Sequence, residues 1–178
     1  MIDKKRAEEA KNNFDNYLRE GLIKKERSDV AFNTYVKNSD LSLKLAEKLI
    51  NDELKPYLWV IVCSYYSMFY IANAVLINLG YKTSHKIVHK VTGEALIVLV
   101  MNKLKKELLE EYEEVRNDAL EIASAKAEEI IENYDFEMNK RSKFQYEMSE
   151  EIKEQKARTS LGRAKEFVFE MKKLLEEK

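Results

Sequence analysis

The stretch that decides the fold is Ser64–Lys86, SYYSMFYIANAVLINLGYKTSHK. Tyr65, Tyr66, Phe69 and Tyr70 fall within one and a half helical turns, and no charged residue stands between Lys55 and Lys82. A helix of that length can cross the hydrocarbon core of a bilayer, so insertion has to be weighed against burial in protein. Ser64, Ser67, Asn73, Asn78 and the tyrosines are costly in lipid, and the flanking segments are charged amphipathic helices that need an apolar partner. The segment therefore reads as the central helix of a soluble bundle, with no membrane as partner. On a helical wheel Leu58, Val62, Tyr65, Phe69, Ala72, Leu76 and Leu79 form one seam, and Trp59, Cys63, Tyr66, Tyr70, Asn73 and Ile77 form the next. Apolar surface so nearly encircling a helix asks for neighbours on most sides. A homodimer through this helix or its neighbours is expected.

Outward from this segment, one proline and four glycines leave few interruptions to helix, and no Asn-Gly or Asp-Gly hairpin signal is present. The chain reads as all-α, an antiparallel up-and-down bundle of about five to six helices in a single domain over residues 1–178. A first helix over residues 3–20 ends at Gly21, and a second follows the cap Ser28 or Asp29. The second turns Phe32, Val36, Leu43, Ala46 and Ile50, with Leu45 and Leu49 beside them, to the core. Pro56 fits the first turn of a third helix running to Gly80, and Thr83 or Ser84 caps a fourth through Met101. Beyond Lys103 a narrow stripe of Leu108, Tyr112, Val115, Ala119 and Ile122 continues on another phase at Ile130, Tyr134 and Met138. After the polar stretch SEEIKEQ, a last helix presents Ala157, Leu161, Ala164, Val168, Met171 and Leu175 on one face.

Lysine plus arginine (31) balance aspartate plus glutamate (32), so any electrostatic signal is local. Cys63 is the only cysteine, which excludes an intrachain disulfide, and the charged start MIDKKRAEEAKNNF lacks the apolar core of a secretory signal. A cytoplasmic location is expected. His85 and His89 stand one helical turn apart without a His-Glu-x-x-His pattern, so no metal or cofactor is expected. The plainer reading packs His85 at a helix N-terminus and leaves His89 in solvent. Lys82, Lys86 and Lys90, with Lys103, Lys105 and Lys106, face only Glu94 in their segment. They are the candidate nucleic-acid contacts, or else an ordinary solvated face. From Glu107 to Glu137 twelve acids oppose Arg116 and Lys126. Residues 107–137 read as a helical extension or insertion that masks a basic surface, meets a basic partner, or keeps a protruding arm soluble.

SYYSMFYIANAVLINLGYKTSH resembles the tyrosine-rich central helix of the HEPN family, with its Tyr-Tyr-x-Met-Phe segment, a glycine, and a turn leading to Ser-His. YLREGLIKKERSD and LAEKLI resemble the family's N-terminal half, and RSKFQY and RAKEFVFEMKKLL its arginine motif and last helix. The resemblance spans most of residues 14–175. It implies an antiparallel bundle that usually dimerises, and two roles. Many HEPN proteins are metal-independent endoribonucleases, often toxins, whose Arg-x4-6-His motifs face each other across a dimer. Others partner a minimal nucleotidyltransferase in toxin–antitoxin-type or defence systems.

The chemistry of such a motif is intelligible in itself. Cleavage of RNA by its own 2′-hydroxyl needs that hydroxyl deprotonated, charge on the phosphorane stabilised, and a proton delivered to the leaving oxygen. Arginine offers a fixed cationic fork and histidine a proton site near neutral pH. Here Arg141 is followed at the fifth position by Tyr146, and Arg116-Asn117 has the favoured dipeptide but Glu121, Ile122 and Ala123 where the histidine would fall. Tyrosine is a poor general base at neutral pH. The missing histidine favours a non-catalytic or weakly active RNA- or nucleotide-associated protein with a nucleotidyltransferase partner. The alternatives are a ribonuclease with Arg141 on phosphate and Tyr146 or His85 in proton transfer, and a helical scaffold for protein–protein interaction. Tyr65, Tyr66, Phe69, Tyr70 and Asn73 are the candidate pocket or interface residues. They serve either as core or, with Arg141, as a phosphate or nucleotide site.

Overall fold

The computed structural model describes the backbone of residues 2–132 and 150–176 and the side chains of 2–124 and 150–176. Arg141 and Tyr146 lie outside the described residues. Six helices are described: α1 (Lys4–Arg19), α2 (Asp29–Leu49), α3 (Tyr57–Asn78), α4 (Val88–Val100), α5 (Lys106–Glu132) and α6 (Glu150–Glu176). Helix α3 is the axis of the bundle and packs against α2, α4, α5 and α6, while α1 lies on α4. Ile61, Tyr65, Met68, Ile71 and Ala72 are fully buried on it. It is long and apolar enough to cross a membrane, yet 83% of its most apolar window is buried inside the bundle.

The all-α reading holds, and the structure adds two short strands to it. Helices α1 and α3 each end at a glycine with positive φ, Gly21 at 69° and Gly80 at 89°, where a side chain would be strained. Each glycine turns the chain into three extended residues, β1 (Ile23–Lys25) and β2 (Tyr81–Thr83). They pair antiparallel with Ile23 opposite Thr83 and Lys24 opposite Lys82. Like charges face each other there, and Glu26 offsets them by accepting from Lys82 Nζ at 2.6 Å. Strands far apart in sequence and three residues long carry no alternation and no hairpin turn, so nothing local announces them.

Several expectations shift at the ends and faces of helices. Ser28 rather than Asp29 caps α2, its Oγ accepting from Ala31 N at 3.3 Å. Pro56 sits at the N-cap of α3, one position before its first turn. Thr83 belongs to β2, so neither it nor Ser84 caps α4, which instead follows Ile87 in the left-handed region at φ 43°. Leu45 points outward with 47% exposure, and SEEIKEQ is already largely helical, within α6. On α3 the second seam is only partly core: Asn73 and Ile77 are buried, but Trp59 is 52% exposed and Cys63, Tyr66 and Tyr70 are half-buried.

The stripe Leu108, Tyr112, Val115, Ala119 and Ile122 is buried throughout. Helix α5 is thus an integral wall of the bundle over those residues, not a protruding arm. Its acids are not merely solvated either. Glu114 pairs with Arg163 at 2.7 Å, Glu111 with Arg163 at 3.5 Å and Asp118 with Lys156 at 3.3 Å, all to α6. Lys172 to Asp40 at 2.6 Å and Lys165 to Glu47 at 2.9 Å tie α6 to α2 in the same way.

The polar centre of the fold is Asn73, 1% exposed. Its Nδ2 donates to Phe69 O at 2.9 Å and Thr92 Oγ1 at 3.2 Å, and its Oδ1 accepts from the Thr83 hydroxyl at 2.7 Å. One side chain thereby holds α3, β2 and α4 together, which makes it structural rather than a pocket residue. Replacing it with leucine strands the Thr83 and Thr92 hydroxyls, and a buried unsatisfied group costs about 1–3 kcal/mol. Asn73→Leu should lower the denaturation midpoint accordingly in urea titration; an unchanged midpoint would remove the network from the account of stability.

Candidate functional site

Once Asn73 and Thr92 fix α4 against α3, His89 is carried into the aromatic row of α3. Its Nδ1 lies 2.7 Å from the Tyr65 hydroxyl. Its ring centroid is 4.7 Å from Phe69, 5.5 Å from Tyr65 and 5.9 Å from Tyr66. The expected placement of the two histidines is therefore reversed. His85 is exposed, and His89 is half-buried in an aromatic cage. The reason is where α4 starts: helix begins at Val88, so His85 stays in the loop before it, while His89 shares a face with the buried Thr92 and Leu96.

Arg116 of α5 reaches the same place. Its guanidinium lies over Gly93, one turn after His89, and a Cβ on Gly93 would stand 2.7 Å from Nη1. Glycine inside a helix costs about 1 kcal/mol relative to alanine. Its presence here is explained by the close approach of that arginine. Asn117 Oδ1 accepts from Arg116 Nη2 at 3.2 Å and Nε at 3.4 Å. Among the described residues no carboxylate pairs with Arg116.

Tyr112, one turn before Arg116, completes the cluster against Tyr65 with ring centroids 5.9 Å apart. Its hydroxyl is buried without a hydrogen-bond partner among the described residues, and burial pushes its pKa up to about 12. Burial, then the neighbouring Tyr112, drives the Tyr65 phenol far above its ordinary value. Burial, then the charge of Arg116, lowers His89 below its ordinary value. Two protonated phenols and a neutral imidazole beside an arginine without a carboxylate partner are the electrostatic content of the site.

The other candidates fall elsewhere. Tyr70 stacks on Tyr35 at 6.0 Å and Tyr66 lies between Tyr70 and His89, so both edge the cluster without bonding into it. Lys82 is occupied by Glu26. Lys86 and Lys90 are exposed, and Lys90 directly follows His89 on α4. Among the described residues no group of three or more His, Cys, Asp or Glu could hold a metal ion. Asn117 also edges a groove of about 480 Å³ between α5 and α6, whose Lys156 and Arg163 are engaged with Asp118 and Glu114.

A family profile described as HEPN domain matches residues 32–174. The chain belongs to the HEPN family. Comparison with curated proteins gives no match, and comparison with solved structures gives none. In this HEPN protein Arg116 and His89 stand on two different helices, and the charge of Arg116 bears on His89. The Arg116-Asn117 dipeptide was legible in the sequence. His89 was not, because it is separated from Arg116 by most of α4, the α4–α5 turn and the first turns of α5.

The Tyr65–His89 bond decides what the imidazole can do. When the Tyr65 hydroxyl donates to Nδ1, Nε2 carries the proton and is a donor suited to a phosphate oxygen. When Nδ1–H donates instead, Nε2 is a free base, and the Tyr65 proton must turn to another acceptor; the ring of Tyr112 packs beside Tyr65 with its hydroxyl buried and unpartnered.

Gly93 separates stability from site. Gly93→Ala adds the helical preference of alanine, about 1 kcal/mol, and its Cβ displaces only the flexible end of Arg116. The expected outcome is a denaturation midpoint held or raised together with weakened binding of a single-stranded RNA probe in a gel shift. Unaltered binding would show that Arg116 does not act from this position.

Proposed function

We propose that this HEPN protein is a cytoplasmic RNA- or nucleotide-binding protein that holds a phosphate between Arg116 and His89. It is non-catalytic or weakly active and works with a nucleotidyltransferase partner in a toxin–antitoxin-type or defence system. The observation that carries the binding site is the Arg116 guanidinium, without a carboxylate partner among the described residues, set beside an imidazole kept neutral by burial. A permanently charged fork needs an anion, and a neutral Nε2–H adds a directional donor. Exposed Lys86 and Lys90 flank the entrance of α4 and add a salt-sensitive contribution. The nucleotidyltransferase partnership rests on the family resemblance of the sequence.

A second reading is favoured by the same geometry in its other tautomer. With Nδ1–H donating to Tyr65, His89 Nε2 removes the 2′-hydroxyl proton of RNA as the 2′-oxygen attacks phosphorus, Arg116 stabilises the phosphorane charge, and the protonated His89 returns the proton to the 5′-oxygen as its bond to phosphorus breaks, giving a metal-independent endoribonuclease. A homodimer supports either reading. Trp59, Val62, Cys63, Tyr66 and Tyr70 share one face of α3 and are exposed or half-buried there, and Tyr66 edges His89. A second copy on that face would bring two sites together.

The test is one purified preparation assayed three ways. Light scattering should give twice the 21.0 kDa chain mass, and Trp59→Glu should return it to one. Gel shifts at two salt concentrations should show RNA binding that weakens with salt and is lost by an order of magnitude, roughly 1–3 kcal/mol, in Arg116→Ala. Cleavage of a mixed RNA pool in EDTA, lost in both Arg116→Ala and His89→Ala, would establish the ribonuclease reading over the binding one. Absence of both binding and cleavage would overturn the proposal and leave a protein-interaction scaffold; Arg141→Ala run alongside reports the contribution of the arginine outside the described residues.

A further inference from the structure

Arg6 of α1 forks between two helices. Its Nη1 donates to Glu94 Oε2 of α4 at 2.6 Å and its Nη2 to Glu113 Oε1 of α5 at 2.8 Å. Glu94 is 5% exposed, a depth at which a carboxylate needs a partner. The same end of α1 is fastened again by Ile2 N, which donates to Glu110 Oε1 of α5 at 2.6 Å, while Asp3 caps the helix by accepting from Arg6 N at 2.7 Å. The family match begins at residue 32, so α1 lies outside it.

The position of the two acids gives this clasp its consequence. Glu94 follows Gly93, the residue over which Arg116 lies, and Glu113 precedes Arg116 by three on the same helix, a spacing that puts side chains within pairing reach. Either carboxylate, if released, would be a resident anion for the Arg116 guanidinium, and an internal ion pair competes with any phosphate brought from solution. We infer that Arg6 is a positioning residue: by holding Glu94 and Glu113 it keeps Arg116 open to an external phosphate, and the docking of α1 thereby sets the anion affinity of the site. The inference rests on the phosphate-site reading above and assigns its control to a helix outside the family match.

The experiment uses the full chain, inorganic phosphate as probe and the His89 ring resonances in NMR as readout. Arg6→Gln with Glu94→Gln removes the clasp without leaving a buried unpaired charge and frees Glu113. The double variant should bind phosphate at least threefold more weakly, and His89 should titrate at higher pH because Glu113 now neutralises Arg116. Adding Glu113→Gln should restore both, a rescue that a merely structural role of Arg6 would not give. Should the double variant fail to fold, Arg6→Lys serves, since one ammonium cannot reproduce the fork; it should give a smaller loss, again reversed by Glu113→Gln. Unchanged phosphate affinity and His89 titration on removing the clasp, or no rescue, would overturn the inference. The His89 titration reports the charge on Arg116 without any ligand. A wild type that binds no phosphate would therefore sink the phosphate reading, while the His89 shift alone still decides for or against the role of Arg6.

Discussion

A phenol buried at the middle of an almost wholly apolar helix gains from a polar partner, and much of this structure follows from how Tyr65 finds one. Tyr65 is fully buried on α3, the helix that the other layers cover. Its hydroxyl meets His89 Nδ1 at 2.7 Å, which requires α4 to enter the bundle at one height and one rotation. Asn73, two turns along the same helix, enforces that entry through Thr92 and Thr83. Polar satisfaction in the core and placement of the candidate site are thus one constraint. The cost of an unpartnered hydroxyl in a low dielectric makes it a stiff one.

The second element is an arginine approaching from the other wall. Arg116 gains its position because Gly93 offers no side chain and because Tyr112, one turn before it, is packed between Tyr65 and Phe167, the latter stacked at 5.3 Å. Its charge bears on His89, Tyr65 and Tyr112 together, in each case disfavouring further positive charge or favouring the phenolate. Burial nevertheless dominates all three, so the phenols stay protonated and the imidazole neutral. Among the described residues the cluster leaves the Arg116 guanidinium without a carboxylate, and Glu113, Glu111 and Glu114 of α5 are taken up by α1 and α6.

Much of the bundle was legible in the residues. The uncharged run from Pro56 to Tyr81 announces a central helix, Gly21 and Gly80 announce the ends of α1 and α3, and the stripe from Leu108 to Ile122 announces a buried face of α5. The strands were not legible, since three-residue pairs joined across the whole of α2 and α3 leave no local pattern. Of the site, Tyr65, Tyr66 and Phe69 were visible as an aromatic row, but His89 was set in solvent in favour of His85. With Ile87 in the left-handed region, helix begins at Val88 and His85 is left outside it, while His89 keeps the phase of the buried Thr92 and Leu96. The Arg116-Asn117 dipeptide stands in the sequence without a histidine at the motif spacing after it. Periodicity reports neighbours along one helix; only packing of α4 on α3 and α5 reports neighbours between helices.

The central claim is that Arg116 and His89 act as one site although they come from different helices. A double-mutant cycle on RNA affinity tests it most directly, using wild type, Arg116→Ala, His89→Ala and the double variant under one salt condition. The account predicts strong coupling: each single change weakens binding, and the double change is little worse than the worse of the two. Losses that simply add would contradict it and separate the arginine and the histidine into unrelated roles.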